Sequence, residues 1–210
     1  SRLDPSFGAA IVRRRGDLEE AGILIHRMRA IRILARREDG RAVGRTRFVI
    51  LRMRRVGDRL PQTRGVELAG EALDAGDEPF GSLLVDAEGV VRVEDRNRTK
   101  DGDQTQHPEF AVARWSASNL APIERFRATV YTSGEHCPMC AAAHAWVGLG
   151  RIVYAASSAQ LTQWRSDWGT PESPVAALPI TTIAPGAVVD GPAPELTETM
   201  KALYEKAFRR

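Results

Sequence analysis

The sequence predicts an α/β fold, a three-layer α/β/α sandwich around a mixed central sheet. Three observations carry that expectation. From about residue 62 onward, segments of helix and strand character alternate in the order helix, hairpin, helix, strand, helix, strand. Such alternation stacks helices on a sheet. The strand candidates are short, rich in Val, Ile and Tyr, and bounded by Gly, Asp and Pro. Of the 210 residues, 43% are hydrophobic, enough for one real core.

The first third stands apart by charge. Residues 1–65 hold 17 Arg against 7 Asp+Glu, whereas the remainder holds 13 basic residues against 20 acidic ones. The net charge of +3 is therefore a basic arm joined to an acidic region. Such an arm suits RNA or an anionic surface, or is an accessory extension without a specific partner. Gly22–Leu34 reads as a basic helix and Arg47–Leu51 as a short strand or helical turn, but arginine interrupts nearly every apolar run. We expect an Arg-rich extension over residues 1–55 and the functional domain over 56–210. No run of 18 apolar residues occurs, so no membrane partner is expected.

The elements of the second part follow in order. Val66–Leu73 has helical spacing and is stopped by Ala75-Gly76-Asp77. Ser82–Val85 and Val90–Val93 form a hairpin across Asp86-Ala87-Glu88-Gly89. A polar loop from Arg96 to Gln106 leads to a helix opening at His107, with Pro108 at a position that needs no backbone N–H. Ala128–Thr132 and Arg151–Ala155 are further strands, and Pro138 opens an alanine-rich helix between them. Residues 157–193, with four prolines from Pro171 to Pro185, read as mostly loop with a strand near Ile180–Ile183. Glu195–Phe208 is a final amphipathic helix.

The chemistry concentrates in His107-Pro108-Glu109 and Cys137-Pro138-Met139-Cys140, which contains both cysteines of the chain. Two cysteines at this spacing suit a metal or redox pair in a reducing compartment, so a cytoplasmic protein is expected. At i and i+3 of a helix start they face one way, and the positive helix N-terminus favours thiolates. His107 adds a neutral nitrogen. Sulfur with nitrogen in tetrahedral geometry selects zinc, and three protein ligands leave one position open, as in catalytic sites. His144 lies seven residues beyond Cys137, about 10 Å along a helix, too far for one ion to bind both cysteines and His144. His136 as a fourth ligand of a closed structural site stays open, and a thioredoxin-like pair leaves His107 and Glu109 unexplained. Glu109 supplies a carboxylate to accept and redeliver a proton. Positions i and i+2 diverge by about 200° in a regular helix, so His107 and Glu109 share a pocket only if the helix approaches end-on.

The His-x-Glu and Cys-Pro-x-Cys pattern resembles the zinc-dependent cytidine deaminase-like superfamily, whose signature has this form. The likeness extends over about residues 60–160. Asp77-Glu78-Pro79-Phe80-Gly81 resembles the entry to the family's first strand, and Asn97-Arg98 its base-binding Asn. Tyr131-Thr132-Ser133-x-Glu135 is similar to the free-base branch, with guanine and cytosine deaminases and tRNA adenosine deaminases. The resemblance implies one Zn2+ per chain with a catalytic water, held by His107, Cys137 and Cys140, and Glu109 as proton shuttle. It further implies loss of ammonia from an amino-bearing ring carbon, a carbonyl product, and a homodimer. Pro108 stands where the family usually has Ala, and His136 where it usually has Pro.

For substrate contacts the candidates are Asn97, Phe80, His136 and Trp164. Phe80 packs beneath the pocket, and Asn97 alternatively caps its own loop. His136 adjoins the pocket or alternatively faces solvent. Trp164, Trp168, Tyr204 and Phe208 lie where related enzymes close aromatics over the base, or are core residues. The tRNA-editing members carry a Gly/Ala-rich stretch with Thr and Ser after the fourth strand, unlike Ser157–Trp164 here. An RNA editor also needs positive charge at its pocket, and this region is acidic. The expectation is therefore a free nucleobase or analogue of guanine, cytosine or triazine type. The alternative is a tRNA adenosine-editing deaminase or RNA-binding protein that uses the basic arm.

Overall fold

The computed structural model describes residues 61–209. The readings for Gly22–Leu34 and Arg47–Leu51, and the boundary between residues 55 and 56, lie outside the described residues. Helix α1 (Pro61–Asp74) precedes β1 (Gly81–Val85) and β2 (Val91–Arg96). Helices α2 (Pro108–Asn119) and α3 (Pro122–Arg127) lead to β3 (Thr129–Gly134), α4 (Pro138–Trp146) and β4 (Arg151–Ala156). Helices α5 (Ser158–Asp167) and α6 (Ile180–Ile183), strand β5 (Val189–Asp190) and α7 (Thr197–Phe208) complete the chain.

The sheet order is β2-β1-β3-β4-β5. Strand β1 is antiparallel to both β2 and β3, whereas β3, β4 and β5 run parallel. A mixed sheet is thus observed. Period-two alternation divides its side chains between two helical layers. Leu84, Val130 and Ile152 face α2 and α4, where Val112, Ala113 and Ala141 close the core. Leu83, Val85 and Ala155 face the opposite way, toward α1 and α7, with Leu68, Val66, Ala69, Met200 and Tyr204.

Local rules account for most boundaries. Helix α1 stops because Gly76 adopts φ 89°, and the N–H groups of Gly76 and Asp77 return to the carbonyls of Leu73 and Ala72. Proline stands at the start of α2, α3 and α4, where a missing N–H costs nothing.

Two sequence expectations fail. Residues 158–167 form a full helix rather than loop, because Ser157 and Gln160 make a reciprocal capping box. Ile180–Ile183 is one helical turn rather than a strand, its first N–H held by Glu135. Helix α3 had no counterpart in the sequence reading.

The topology gathers one end of the sheet into a single place. The parallel strands β3 and β4 finish there, at Gly134 opposite Ala156. The antiparallel β1 begins there, with Gly81 opposite Arg96 at the end of β2. The loops carrying Phe80, Asn97, Cys137 and Ser157 therefore converge. Crevices beyond the carboxyl ends of parallel strands are where α/β folds bind ligands.

A candidate metal centre with a buried carboxylate

His107 is the N-cap of α2, with extended backbone (φ −82°, ψ 139°), and Glu109 lies in the first helical turn. The cap resolves the 200° difficulty, because His107 is not yet on the helical spiral. Its ring swings toward the end of β3, while Glu109 points back beneath it. Cys137 is likewise the extended N-cap of α4, and Cys140 sits one turn into that helix.

Nδ1 of His107 lies 3.6 Å from Sγ of Cys137 and 3.6 Å from Sγ of Cys140. All three donor atoms fall within 4.8 Å of one another. A tetrahedral ion with bonds of about 2.3 Å to sulfur and 2.05 Å to nitrogen needs sulfur–nitrogen edges of about 3.6 Å. The donor triangle has that size. Its electrostatics agree: Cys140 and His107 stabilise a thiolate on Cys137, pushing its thiol down to about 4. Cys140, sharing hydrogen-bonding with Cys137, buried, and facing Glu109, is driven the other way. Two sulfurs this close ionise together only around a cation. These residues can hold a divalent metal.

Glu109 is 6% exposed, and burial raises its proton affinity above that of an ordinary carboxylate, against the opposing pull of His107. Its Oε1 accepts from the Thr132 hydroxyl at 2.9 Å and lies 3.2 Å from that of Ser82. Ser82 Oγ also lies 2.8 Å from Thr132 Oγ1. Each hydroxyl has one proton to give, so the relay runs Ser82 to Thr132 to Glu109. Oε2, 3.8 Å from Cys140 Sγ, is left on the side of the donor triangle. Ser82 and Thr132 are paired across β1 and β3 on the face of the sheet that α2 covers. Sequence reasoning missed both roles, although a hydroxyl at alternate positions of otherwise apolar strands was a visible signal.

The remaining candidates are placed as follows. Asn97 is fully buried; its N–H donates to Phe80 O at 3.0 Å and its Oδ1 accepts from Thr99 N and Oγ1. The loop-capping reading therefore describes Oδ1, while Nδ2 is a buried donor without a partner among the described residues. Phe80 packs on Tyr204, ring centroids 5.5 Å apart. Gly134 is required beneath them, since a Cβ there would sit 2.8 Å from Tyr204 Oη and 3.1 Å from Phe80. Trp164 joins the same aromatic group, 6.1 Å from Tyr204, with Trp168 and Phe208 packed around it.

His136 does not face solvent. It is 1% exposed and meets His144 edge-on at 5.4 Å, and burial holds both imidazoles below the usual 6.5, His136 far below. His144 donates from Nε2 to Gly150 O at 2.9 Å. Glu135 is a second unforeseen role: one oxygen accepts from Ser158 N at 2.9 Å and the other from Ile180 N at 3.0 Å. It thereby caps α5 and α6 together.

With this geometry in hand, three comparisons bear on it. A family model described as MafB19-like deaminase matches residues 62–178. A probable cytosine deaminase of Schizosaccharomyces pombe is 34% identical over 96 residues, 46% of this chain and 58% of its own. Guanine deaminase of Bacillus subtilis is 34% identical over 94 residues, 44% of this chain and 60% of its own. A tRNA-specific adenosine deaminase of Agrobacterium fabrum is 37% identical over 100 residues, 45% and 65% of the two chains. The chain thus spans about three fifths of the length of these relatives. The solved structure of guanine deaminase from Nitrosomonas europaea superposes with a TM-score of 0.57 at 19% identity, covering 82% of this chain and 98% of that one. At that identity the likeness concerns the α/β fold.

Proposed function

The chain belongs to the MafB19-like deaminase family, and we propose that it is a zinc-dependent hydrolytic deaminase of a free nucleobase or base analogue of guanine, cytosine or triazine type. The observation that carries this reading is the donor triangle of His107, Cys137 and Cys140, with both sulfur–nitrogen edges at 3.6 Å and a buried carboxylate behind it. One zinc ion held there supplies Lewis-acid activation of water, and an open coordination position distinguishes catalytic from structural sites.

The chain's own residues carry the proton traffic. Thr132 fixes one oxygen of Glu109, so the other is oriented toward the triangle. Glu109 takes one proton from the attacking water and passes it to the adjacent ring nitrogen as the C–O bond forms. It then carries the hydroxyl's proton to the amine, so that the C–N bond breaks, the oxygen stays on carbon as a carbonyl and ammonia leaves. A carboxyl whose proton affinity is raised by burial suits both steps. Asn97 Nδ2 offers a donor to an acceptor atom of the ring. Phe80 and Tyr204 supply apolar walls, with Trp164 behind Tyr204. His136 fills the interior against His144.

The test is an ammonia-release screen over cytosine, guanine, adenine, isocytosine, triazines and their nucleosides, with Glu109→Ala as control. Activity on a free base, reduced by about 10²- to 10⁴-fold in Glu109→Ala, supports the proposal. No release from any compound, or undiminished release by the variant, overturns it. The Agrobacterium fabrum relative and the Arg-rich residues 1–65 support a second reading, deamination of a tRNA adenosine. Steeply salt-dependent RNA binding that disappears without residues 1–55 would favour it. Homodimerisation belongs to the same proposal, and Trp146, 87% exposed on α4, supports it. Sedimentation at micromolar concentration decides between monomer and dimer.

A further inference from the structure

The charged groups around the sheet end are nearly all engaged. Asp77 is buried, accepting from Arg96 at 2.8 Å and from Lys100 N at 2.9 Å. Glu135 caps two helices, and Glu109 is held by hydroxyls. Arg165 lies over the Phe208 ring at 4.9 Å and donates to Pro171 O. Glu78 differs. Among the described residues its carboxylate makes no hydrogen bond and no ion pair at contact distance.

Its position is nevertheless tightly fixed. Asp77 on one side is locked to Arg96, and Pro79 on the other is fully buried. Phe80 N donates to Glu78 O at 2.8 Å, and Phe80 O accepts from Asn97 N at 3.0 Å. The loop that carries Glu78 is therefore stitched to the loop that carries the unpartnered Asn97 amide. The Glu78 charge is felt at three groups, His107, Arg165 and the Tyr204 hydroxyl. Tyr204 feels Glu109 as well. The Tyr204 hydroxyl, whose ring packs on Phe80, thus lies within electrostatic reach of both Glu78 and Glu109. A half-buried carboxylate without a protein partner is costly unless something donates to it.

We infer that Glu78 is a specificity-determining residue of the base pocket, accepting a hydrogen bond from a ring N–H or second amino group of the substrate while Asn97 Nδ2 donates to an adjacent ring acceptor. The inference rests on the deaminase reading above and narrows its substrate. A carboxylate is an acceptor only, so the bound base presents a donor on that side. A donor next to an acceptor is the amide or amidine edge of a neutral base. The same negative charge opposes a phosphodiester, which sets the pocket against nucleotides and RNA.

The experiment compares the full chain, loaded with zinc, as wild type, Glu78→Gln and Glu78→Asp, on the free base that the screen identifies. Glu78→Gln keeps shape and loses the charged acceptor. Its KM is expected to rise about 10- to 100-fold with kcat changed less than about threefold. Zinc content and melting temperature stay at wild-type values, and Glu78→Asp recovers part of the affinity. An unchanged KM in Glu78→Gln, with wild type active, overturns this inference and leaves the deaminase reading standing. Loss of zinc from Glu78→Gln overturns it too, because Glu78 would then be orienting His107. A wild type inactive on every base overturns the reading and this inference together.

Discussion

Replacing Thr132 by Val removes one hydroxyl from the buried relay while keeping the β-branched shape. Thr132 Oγ1 lies 2.9 Å from Glu109 Oε1 and 2.8 Å from Ser82 Oγ. The Thr132 side chain is completely buried, so water does not substitute for it. A hydrogen bond to an ionised group contributes about 1.5–3 kcal/mol, which is about 10- to 150-fold in rate if it acts on the proton-transfer step. Ser82, 3.2 Å from the same Glu109 oxygen, can then donate directly, which places the loss nearer the lower bound. Under the proposed function the effect should fall on kcat, because Thr132 orients Glu109, the proposed proton carrier. The pH profile gives an independent check. Thr132's hydrogen bond lowers the proton affinity of Glu109, so its removal raises that affinity further. The deprotonated form then begins at higher pH, and the acid limb of kcat/KM moves upward. Steady-state ammonia release from pH 5 to 9, with zinc content measured in parallel, tests both. A variant within twofold of wild type, with an unmoved acid limb, would refute the relay.

Three further outcomes follow from the same geometry. Cys137→Ser removes one of three donors, so zinc retained after dialysis should fall to a small fraction of one per chain and the melting temperature should drop, since metal binding stabilises the fold; wild type without stoichiometric divalent metal would sink that claim. Glu135→Gln retains one carbonyl where two carboxylate oxygens capped α5 and α6, and should cost about 1–3 kcal/mol in urea unfolding. His136 and His144 are held neutral by burial, below their unfolded value of 6.5. Below pH 6.5 the unfolded chain takes up protons that the fold refuses, so stability is full above that pH and falls beneath it. The slope is at most about 1.4 kcal/mol per pH unit for each imidazole. Unfolding midpoints at pH 7.5, 6.5 and 5.5 should show it, and His144→Gln should flatten the slope; an identical slope in that variant argues against the histidine origin.

The sequence by itself determined the elements that are periodic or punctuated, and the residues whose chemistry is distinctive. Short apolar runs bounded by turn residues marked β1, β2, β3 and β4, and Pro108 and Pro138 marked the starts of the two helices behind the candidate metal centre. Two cysteines, one histidine and one glutamate at that spacing identified the candidate centre, because few other side chains offer those donor atoms. Helix α5 was legible too, in Ser157 and Gln160, but the prolines that follow drew the whole stretch toward loop. Only the tertiary structure decided the rest. That His107 and Glu109 share one pocket depends on a backbone dihedral at the N-cap. Ser82 and Thr132 became anchors of Glu109 through antiparallel register 50 residues apart in sequence. His136 turned inward against His144, and Glu135 captured two helix starts, through packing that no local pattern encodes. The loops that carry Glu78 and Asn97 are joined because β1 begins where β2 ends. Ser, Thr, Glu and Asn are common residues whose chemistry takes meaning from their neighbours, and those neighbours are set by the register of a folded sheet.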